Sequence, residues 1–487
     1  MLNNVVPSLL SLVTAALLIL STAGSAASSE STTLPSIGGI GGGLISDRRE
    51  SDIGEQVMMS LRRSAPRITD PIVTDYLSSI VYQLVPSAPL SDRKLTVVAI
   101  DNSQINAFAV PGNIVGVNGG LFLNAKTEQQ FASVIAHELA HLSQRHFSRR
   151  LEQQENAAPL TIAGMIAGIV LSAVTQSDLG IAAIAGTQAL SIQNMLEYSR
   201  AHEREADRIG IDILAQSGLD PRGMPEMFEI MLESSRLQGS QPPEYLSTHP
   251  LTRNRVSDTR SRAEQYPSQA VPDALEYHLV RARLQVHYAR SPGEAVEFFR
   301  NYLNSKGNEK NLAARYGLAV AYLEDGQADK AREQLQILLN DNPARITFLV
   351  SLAETWLAQK DYEKARSLLV HALKRNPGNY PITETLSRVE TEAGNGRRAA
   401  DYLKDLLRDY PDREHLWLRL AEAEGLARNI VGVHRARAEY ALLMGDPESA
   451  RRQLRQAQEK APASSPLHQV ISERLAEVTS RMAASQR

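Results

Sequence analysis

Residues 137–141 read His137-Glu138-Leu139-Ala140-His141, and Glu203-Arg204-Glu205-Ala206-Asp207 begins 62 residues after His141. Two histidines four apart on a helix project about 40° from each other around the axis, so both imidazoles can reach one tetrahedral zinc. Glu138 stands where a general base takes a proton from water activated by the metal. The chemistry this predicts is hydrolysis of a peptide bond, with one zinc ion per chain, His137 and His141 as ligands and Glu138 as base. A chance match on an ordinary amphipathic helix is the competing explanation. The flanks oppose it: Phe131, Val134, Ile135 and Leu142 form an apolar stripe, and Thr127 with Gln130 makes a capping box.

The third ligand sets the subclass. The 487 residues include no cysteine, so zinc must be held by histidine and carboxylate. A metzincin would place a third histidine ten residues after the first, but Phe147 holds that position and Gln144 stands where that pattern needs glycine. His146 is one residue off and reads as a surface side chain late in the helix, where a cation suits the dipole. Glu203 fits better. Residues 193–216 have helical periodicity through Leu196, Ala206, Ile209, Ile213 and Leu214 and stop before Gly218. Glu203 and Asp207, four apart, face one side: one as ligand, the other orienting a ligand histidine. Glu205 points about 200° from Glu203 and reads as part of a solvated face with Arg200, Arg204 and Arg208.

Other elements must position these groups. A helix is expected from about Ser46 to Arg63, and Asp70-Pro71 opens another as cap and first helical residue. Residues 95–100, 106–110 and 114–117 read as strands, the last two turned by Pro111-Gly112-Asn113. A small antiparallel sheet leading into the zinc helix would hold an extended substrate by strand addition along Asn106, Ala107 and Phe108. Plain core sheet is an equally weighted reading of the same strands.

Between the two zinc-binding segments, residues 160–174 and 179–190 are almost wholly apolar or small. Both runs fall short of the roughly 20 residues of a membrane-spanning helix. Buried core, a lid over the cleft, and a surface for peripheral membrane contact or unfolded substrate are the three readings, with core or lid favoured. The N-terminus reads as an export signal: residues 9–20 are apolar and Ala23-Gly24-Ser25-Ala26-Ala27 suits cleavage near residue 27. Residues 28–45, with Gly38-Gly39-Ile40-Gly41-Gly42-Gly43, form a flexible lead-in. The expected location is the periplasm. A net charge of −3 gives no basic excess for nucleic acid.

From about residue 274 the chain repeats. Pro343, Pro377 and Pro411 are 34 apart, as are Ala331, Ala365 and Ala399, Leu335, Leu369 and Leu403, and Leu339, Leu373 and Leu407. Four columns in phase at 34 residues mark tetratricopeptide helix pairs, with small residues where helices cross and proline at the turn. Ala450 and Pro462 match after a further 51, so about one extra helix interrupts the register. The array should stack its own core and bind protein partners. The fold class expected is mainly α: an α+β zincin peptidase domain with a small antiparallel sheet at 46–265, then an all-α repeat solenoid at 274–483.

The HExxH helix, the helix carrying Glu203 to Asp207 and the segment Ser247-Thr248-His249-Pro250 together resemble the gluzincin family that includes the CAAX-prenyl protease and bacterial heat-shock membrane proteases. The resemblance implies that His137, His141 and Glu203 bind zinc, that Glu138 is the base, and that Asp207 orients a ligand or donates a proton. It places His249 by the active site, as a fourth ligand that keeps the enzyme latent or as an oxyanion donor, although a lone histidine before proline is by itself an ordinary loop residue. With the export signal and the repeats, it implies unfolded or misassembled outer-membrane proteins as substrates and the β-barrel assembly machinery as the repeats' partner. The alternative is a non-proteolytic chaperone or scaffold with a structural or latched zinc site; Glu138 opposes it, because a structural site needs no base.

Overall fold

The computed structural model describes residues 46–153, 166, 168, 199–238, 243–267 and 274–485. The expected signal peptide (1–27), the lead-in (28–45) and, apart from Ile166 and Gly168, the apolar insert at 160–190 lie outside the described residues. Helix starts follow the local chemistry of the chain. Ser46 caps α1 (Asp47–Ser64) by accepting from the Arg49 amide. The Asp70 carboxylate accepts from the Ile72 and Val73 amides to start α2 (Pro71–Leu84). Ile53, Val57 and Leu61 of α1 and Ile72, Leu77 and Ile80 of α2 are buried, and they fasten both helices to the sheet region.

The sheet holds β1 (Thr96–Ile100), β2 (Ala107–Val110) and β3 (Ile114–Asn118) in the order β1-β3-β2. It is mixed rather than antiparallel: β2 and β3 form the expected hairpin, whereas β1 runs parallel to β3. Burial accounts for the order. Every residue of β3 is buried, so it takes the centre, while Thr96, Val97 and Phe108 of the outer strands are half-buried. Phe108 lies opposite Gly116, and a Cβ on that glycine would meet the phenyl ring at 2.1 Å. β2 is thereby left at an edge, beside the HExxH helix.

After α3 (Gly119–Asn124), Thr127 caps α4 (Glu128–Ser143), and the Gln130 side chain accepts from the Lys126 amide, one residue further back than the ordinary capping box. Then come α5 (His146–Gln153), α6 (Arg200–Gln216), α7 (Gly223–Gln238), α8 (Glu244–Thr248) and α9 (Arg253–Ala263). α6 crosses α4 closely at Gly210, where a Cβ would stand 3.2 Å from the His137 backbone nitrogen. Among the described residues no helix is long and apolar enough to cross a membrane.

The repeats begin with α10 (Leu275–His287). Ala331, Ala365 and Ala399 are buried on the helices Ala328–Asp341, Tyr362–Arg375 and Gly396–Asp409, and Pro343, Pro377 and Pro411 sit in the turn beyond each. Two helices, Glu414–Leu426 and Ile430–Leu443, precede Ala450 on Pro447–Lys460, where one would keep the register. The array has apolar clusters of its own, such as that of Phe299, Tyr316 and Leu335. The largest cluster, however, joins Leu77, Ile80 and Phe131 to Val350, Leu369 and Leu386. The expectation of separate cores is corrected: α2 packs directly on the repeat helix Tyr380–Glu392. Polar ties reinforce this. Tyr277 donates to the Ala125 carbonyl at 2.8 Å, and half-buried Arg283 joins Asp70 (2.6 Å) to Glu354 (2.9 Å). At the far end Arg62 and Arg63 donate to the carbonyls of Leu443 and Met444.

Candidate metal centre

The first turn after the middle of α4 brings His137, Glu138 and His141 into the interior, all essentially inaccessible. The Nε2 atoms of His137 and His141 are 2.9 Å apart. From α6, Glu203 meets them with Oε1 at 3.2 Å from His141 Nε2 and Oε2 at 3.6 Å from His137 Nε2. His249, the residue that ends α8, enters from a third direction. Its Nδ1 is 3.1 Å from Glu203 Oε1 and its Nε2 is 3.5 Å from Glu138 Oε1. One ligand atom from each of His137, His141, Glu203 and His249 lies within 4.8 Å of all the others. The candidates from distant segments of the sequence thus converge.

A second set of groups holds these in place, and sequence reasoning missed most of it. Asp207 Oδ1 lies 3.1 Å from His137 Nδ1, behind the ring. Buried Arg255 of α9 grips both Asp207 oxygens, Nε to Oδ2 at 2.8 Å and Nη2 to Oδ1 at 2.7 Å. Its Nη1 reaches Glu203 Oε2 at 2.6 Å and donates to the Pro250 carbonyl at 2.8 Å, which ties the His249 segment to the α6 carboxylates. Tyr245 stacks on His249 with ring centroids 4.5 Å apart and planes at 21°. The Ala109 amide of β2 donates to Glu138 Oε2 at 3.1 Å. The expected substrate-contacting residues lie on or just before this strand: Asn106 and Ala107 are buried and Phe108 is half-buried. Two expectations are corrected. His146 is fully buried rather than at the surface, and Glu205 is not simply solvated, since its Oε2 lies 3.1 Å from His146 Nε2.

Charge follows from burial and neighbours. Burial alone would raise the Glu203 carboxyl, but His249, His137 and His141 hold it well below the usual range. Asp207 is likewise held low, by Arg255 and then His137, against the effect of burial. Burial pushes the Glu138 carboxyl up, opposed by His249 and His137. Burial would lower His137, yet Asp207 and Glu203 lift it to about 9, whereas burial keeps His141 well below its ordinary value despite Glu203.

Arg255 provides a direct check on this packing. Arg255→Ala leaves Asp207 and Glu203 without their buried cation, and is expected to cost about 3–5 kcal/mol of folding stability. Denaturant unfolding of the metal-free protein measures it. A loss under about 1 kcal/mol, the scale of exposed pairs, would show that the guanidinium is no clamp.

Residues 71–263 match the pattern of peptidase family M48, and residues 288–347 and 357–424 match a tetratricopeptide repeat pattern. The chain is 35% identical over 428 residues to the beta-barrel assembly-enhancing protease of Escherichia coli (strain K12), covering 86% of this chain and 85% of that protein. The putative beta-barrel assembly-enhancing protease of Vibrio cholerae is 38% identical over 322 residues, 66% of each. Mitochondrial metalloendopeptidase OMA1 of Schizosaccharomyces pombe is 29% identical over 186 residues, 38% of this chain and 51% of that one. With HExxH and a distant glutamate converging in one buried cluster, the chain belongs to peptidase family M48, as a metallopeptidase that carries tetratricopeptide repeats.

Proposed function

We propose that this protein is an exported zinc endopeptidase that acts in the periplasm on unfolded or misassembled outer-membrane β-barrel proteins. His137, His141 and Glu203 hold one zinc ion, and Glu138 is the general base. The observation that carries this reading is the 2.9 Å separation of two Nε2 atoms beside a carboxylate. Asp207 behind His137 favours the proton on Nδ1, which turns the Nε2 lone pair inward. Lone pairs converging at that distance need a cation between them: a proton in the metal-free protein, where His137 is lifted to about 9, and zinc in its place in the loaded enzyme. The 2.9 Å between the two Nε2 atoms and the 3.2 Å from His141 Nε2 to Glu203 Oε1 lie near the roughly 3.3 Å edge of a tetrahedron of zinc–nitrogen and zinc–oxygen bonds. Three buried carboxylates, Glu138, Glu203 and Asp207, share the cluster with one buried guanidinium, Arg255, which pairs with Asp207 and Glu203, so the site favours added positive charge.

Zinc, when bound, polarises the scissile carbonyl and acidifies a water molecule. Glu138 takes the water proton as the new carbon–oxygen bond forms, then gives it to the amine as the carbon–nitrogen bond breaks. Asp207 orients His137, since Arg255 engages both of its oxygens. The substrate lies extended along the outer edge of β2, where Ala107, between Asn106 and Phe108 whose backbone groups pair with β3, offers its backbone for strand pairing next to Glu138. An unfolded β-strand segment meets that geometry, and the names of the relatives from Escherichia coli and Vibrio cholerae agree with such substrates. The repeats dock the enzyme to the β-barrel assembly machinery. His249 favours a resting state in which the site is closed, because its imidazole stands within the ligand cluster.

The test is metal content and cleavage of an unfolded, casein-type substrate by the purified protein lacking residues 1–27. About one zinc per chain, chelator-sensitive cleavage, and loss of both in Glu203→Gln are expected. Full zinc content in Glu203→Gln would sink the ligand set.

A further inference from the structure

His141 is backed by a second histidine where His137 is backed by a carboxylate. His146 Nδ1 lies 2.9 Å from His141 Nδ1, and His146 Nε2 lies 3.1 Å from Glu205 Oε2. The His146 ring is fully buried and stacked on His202, with centroids 4.3 Å apart and planes at 13°. The backbone builds this contact on purpose-made geometry. On a continuous helix, a residue five positions beyond His141 would stand about 140° around the axis and face elsewhere. Instead α4 ends at Ser143, Arg145 takes φ 52°, and α5 starts at His146. That left-handed residue is unfavourable for a side chain larger than glycine. Glu50 of α1 accepts from Arg145 at 2.7–2.8 Å and so anchors the turn.

We propose that His146 and Glu205 form an orienting chain for the metal ligand His141, in which His141 Nδ1–H donates to His146 Nδ1 and His146 Nε2–H donates to Glu205 Oε2. The proposal rests on the reading of His141 as a zinc ligand. Its Nε2 is the atom that faces His137 and Glu203, so a neutral ring offering that lone pair carries its proton on Nδ1. His146 Nδ1 can accept this proton only when its own proton sits on Nε2. An ionised carboxylate accepts and cannot donate, so Glu205 fixes that tautomer. One proton arrangement therefore satisfies all three residues, and it aims the His141 lone pair at the metal. His146 and Glu205 are positioning residues. They touch neither substrate nor metal.

The two ligand histidines are thus held by unlike devices. His137 rests on a buried, charged pair, Asp207 with Arg255; His141 rests on a neutral ring whose carboxylate partner is 41% exposed. Removing a group that orients a ligand imidazole typically weakens metal binding roughly 10–100-fold.

The experiment measures zinc affinity by chelator competition and the visible bands of the cobalt(II)-substituted protein. His146→Leu, which fills the space without an acceptor, is expected to weaken zinc binding roughly 10–100-fold and to shift the cobalt bands. His146→Asn, whose carbonyl oxygen falls near the position of Nδ1, should restore affinity to near that of the parent. A packing role would reverse that order, since leucine suits a buried site better than asparagine. Glu205→Ala, at a half-exposed position that does not threaten folding, should cause a smaller loss of the same kind, and no further loss when added to His146→Leu. Unchanged affinity and bands in His146→Leu, the reversed order, or strictly additive losses would overturn the chain. If His146→Leu does not fold, His146→Asn and Glu205→Ala decide: an affinity unchanged by Glu205→Ala overturns it. His141→Ala separates the two readings. Metal binding that survives His141→Ala sinks the ligand set and this proposal together; loss there but not in His146→Leu sinks the proposal alone.

Discussion

Glu138→Gln is expected to leave zinc content and fold unchanged while lowering kcat/KM by about 10²–10⁴-fold, the contribution of a positioned general base. Glutamine has the shape of glutamate, and its carbonyl oxygen can still accept from the Ala109 amide, which now meets Glu138 Oε2 at 3.1 Å. What it cannot do is take a proton from water and pass it to the leaving amine. The environment prepares the wild-type residue for that exchange, because burial raises the carboxyl while His249 and His137 oppose the rise. A base works in its deprotonated form, so the parent's kcat/KM should climb with pH through a value above that of an ordinary glutamate. The variant should lack that limb. Metal analysis and cleavage profiles over pH check both parts, and near-normal cleavage by Glu138→Gln would remove the residue from the role of base.

The contrast between what the chain announces and what it conceals has a physical source. Local, periodic signals were readable: the HExxH spacing, the Glu203/Asp207 pair four apart, the caps at Ser46, Asp70 and Thr127, and the 34-residue columns of the repeats. Each depends on a few neighbouring residues and on helix geometry. The positions of β1 and β3 were also readable, but not their parallel pairing, because strand order depends on which strand is buried on both faces. The clamp at Arg255 was invisible for a similar reason. Nothing local distinguishes it from Arg253 two residues earlier, and its partners are 48 and 52 residues away along the chain.

His146 is hidden for the opposite cause, a purely local one. Helical periodicity does not extend through Arg145, where the backbone departs from the helix at φ 52°. A continuous helix would set the imidazole on a solvated face; the turn puts it behind His141. Glu205 follows from the same turn, because the side chain that meets it, His146, belongs to α5 and not to its own helix. The shared core has the same lesson at larger scale. Repeat periodicity predicts stacking within the array, and says nothing about the face of Tyr380–Glu392 that packs on α2.

His249→Ala is expected to raise cleavage by about 10-fold or more, as it would if the open form were a minor state populated at roughly 0.1–10%. With the imidazole in place, zinc would have four protein ligands, the closed arrangement of a structural site, and no position for a reacting water. The segment is held in that arrangement from two sides. Tyr245 stacks on the ring at 4.5 Å, and Arg255 donates to the Pro250 carbonyl at 2.8 Å. Opening therefore needs α8, a helix of five residues, to move with His249, and a substrate that fills the edge of β2 would have to supply the free energy. Alanine removes the fourth ligand without touching His137, His141 or Glu203, so zinc should bind somewhat more weakly while cleavage, including self-cleavage, increases. A fall of roughly 10²–10³-fold would mean that the imidazole stabilises the oxyanion instead, the loss expected on deleting such a donor. Its position 3.5 Å from Glu138 Oε1 bears on both roles: a ring that leaves the metal stays beside the base and the reacting carbonyl. Unchanged cleavage with unchanged zinc affinity would remove His249 from the site's chemistry altogether.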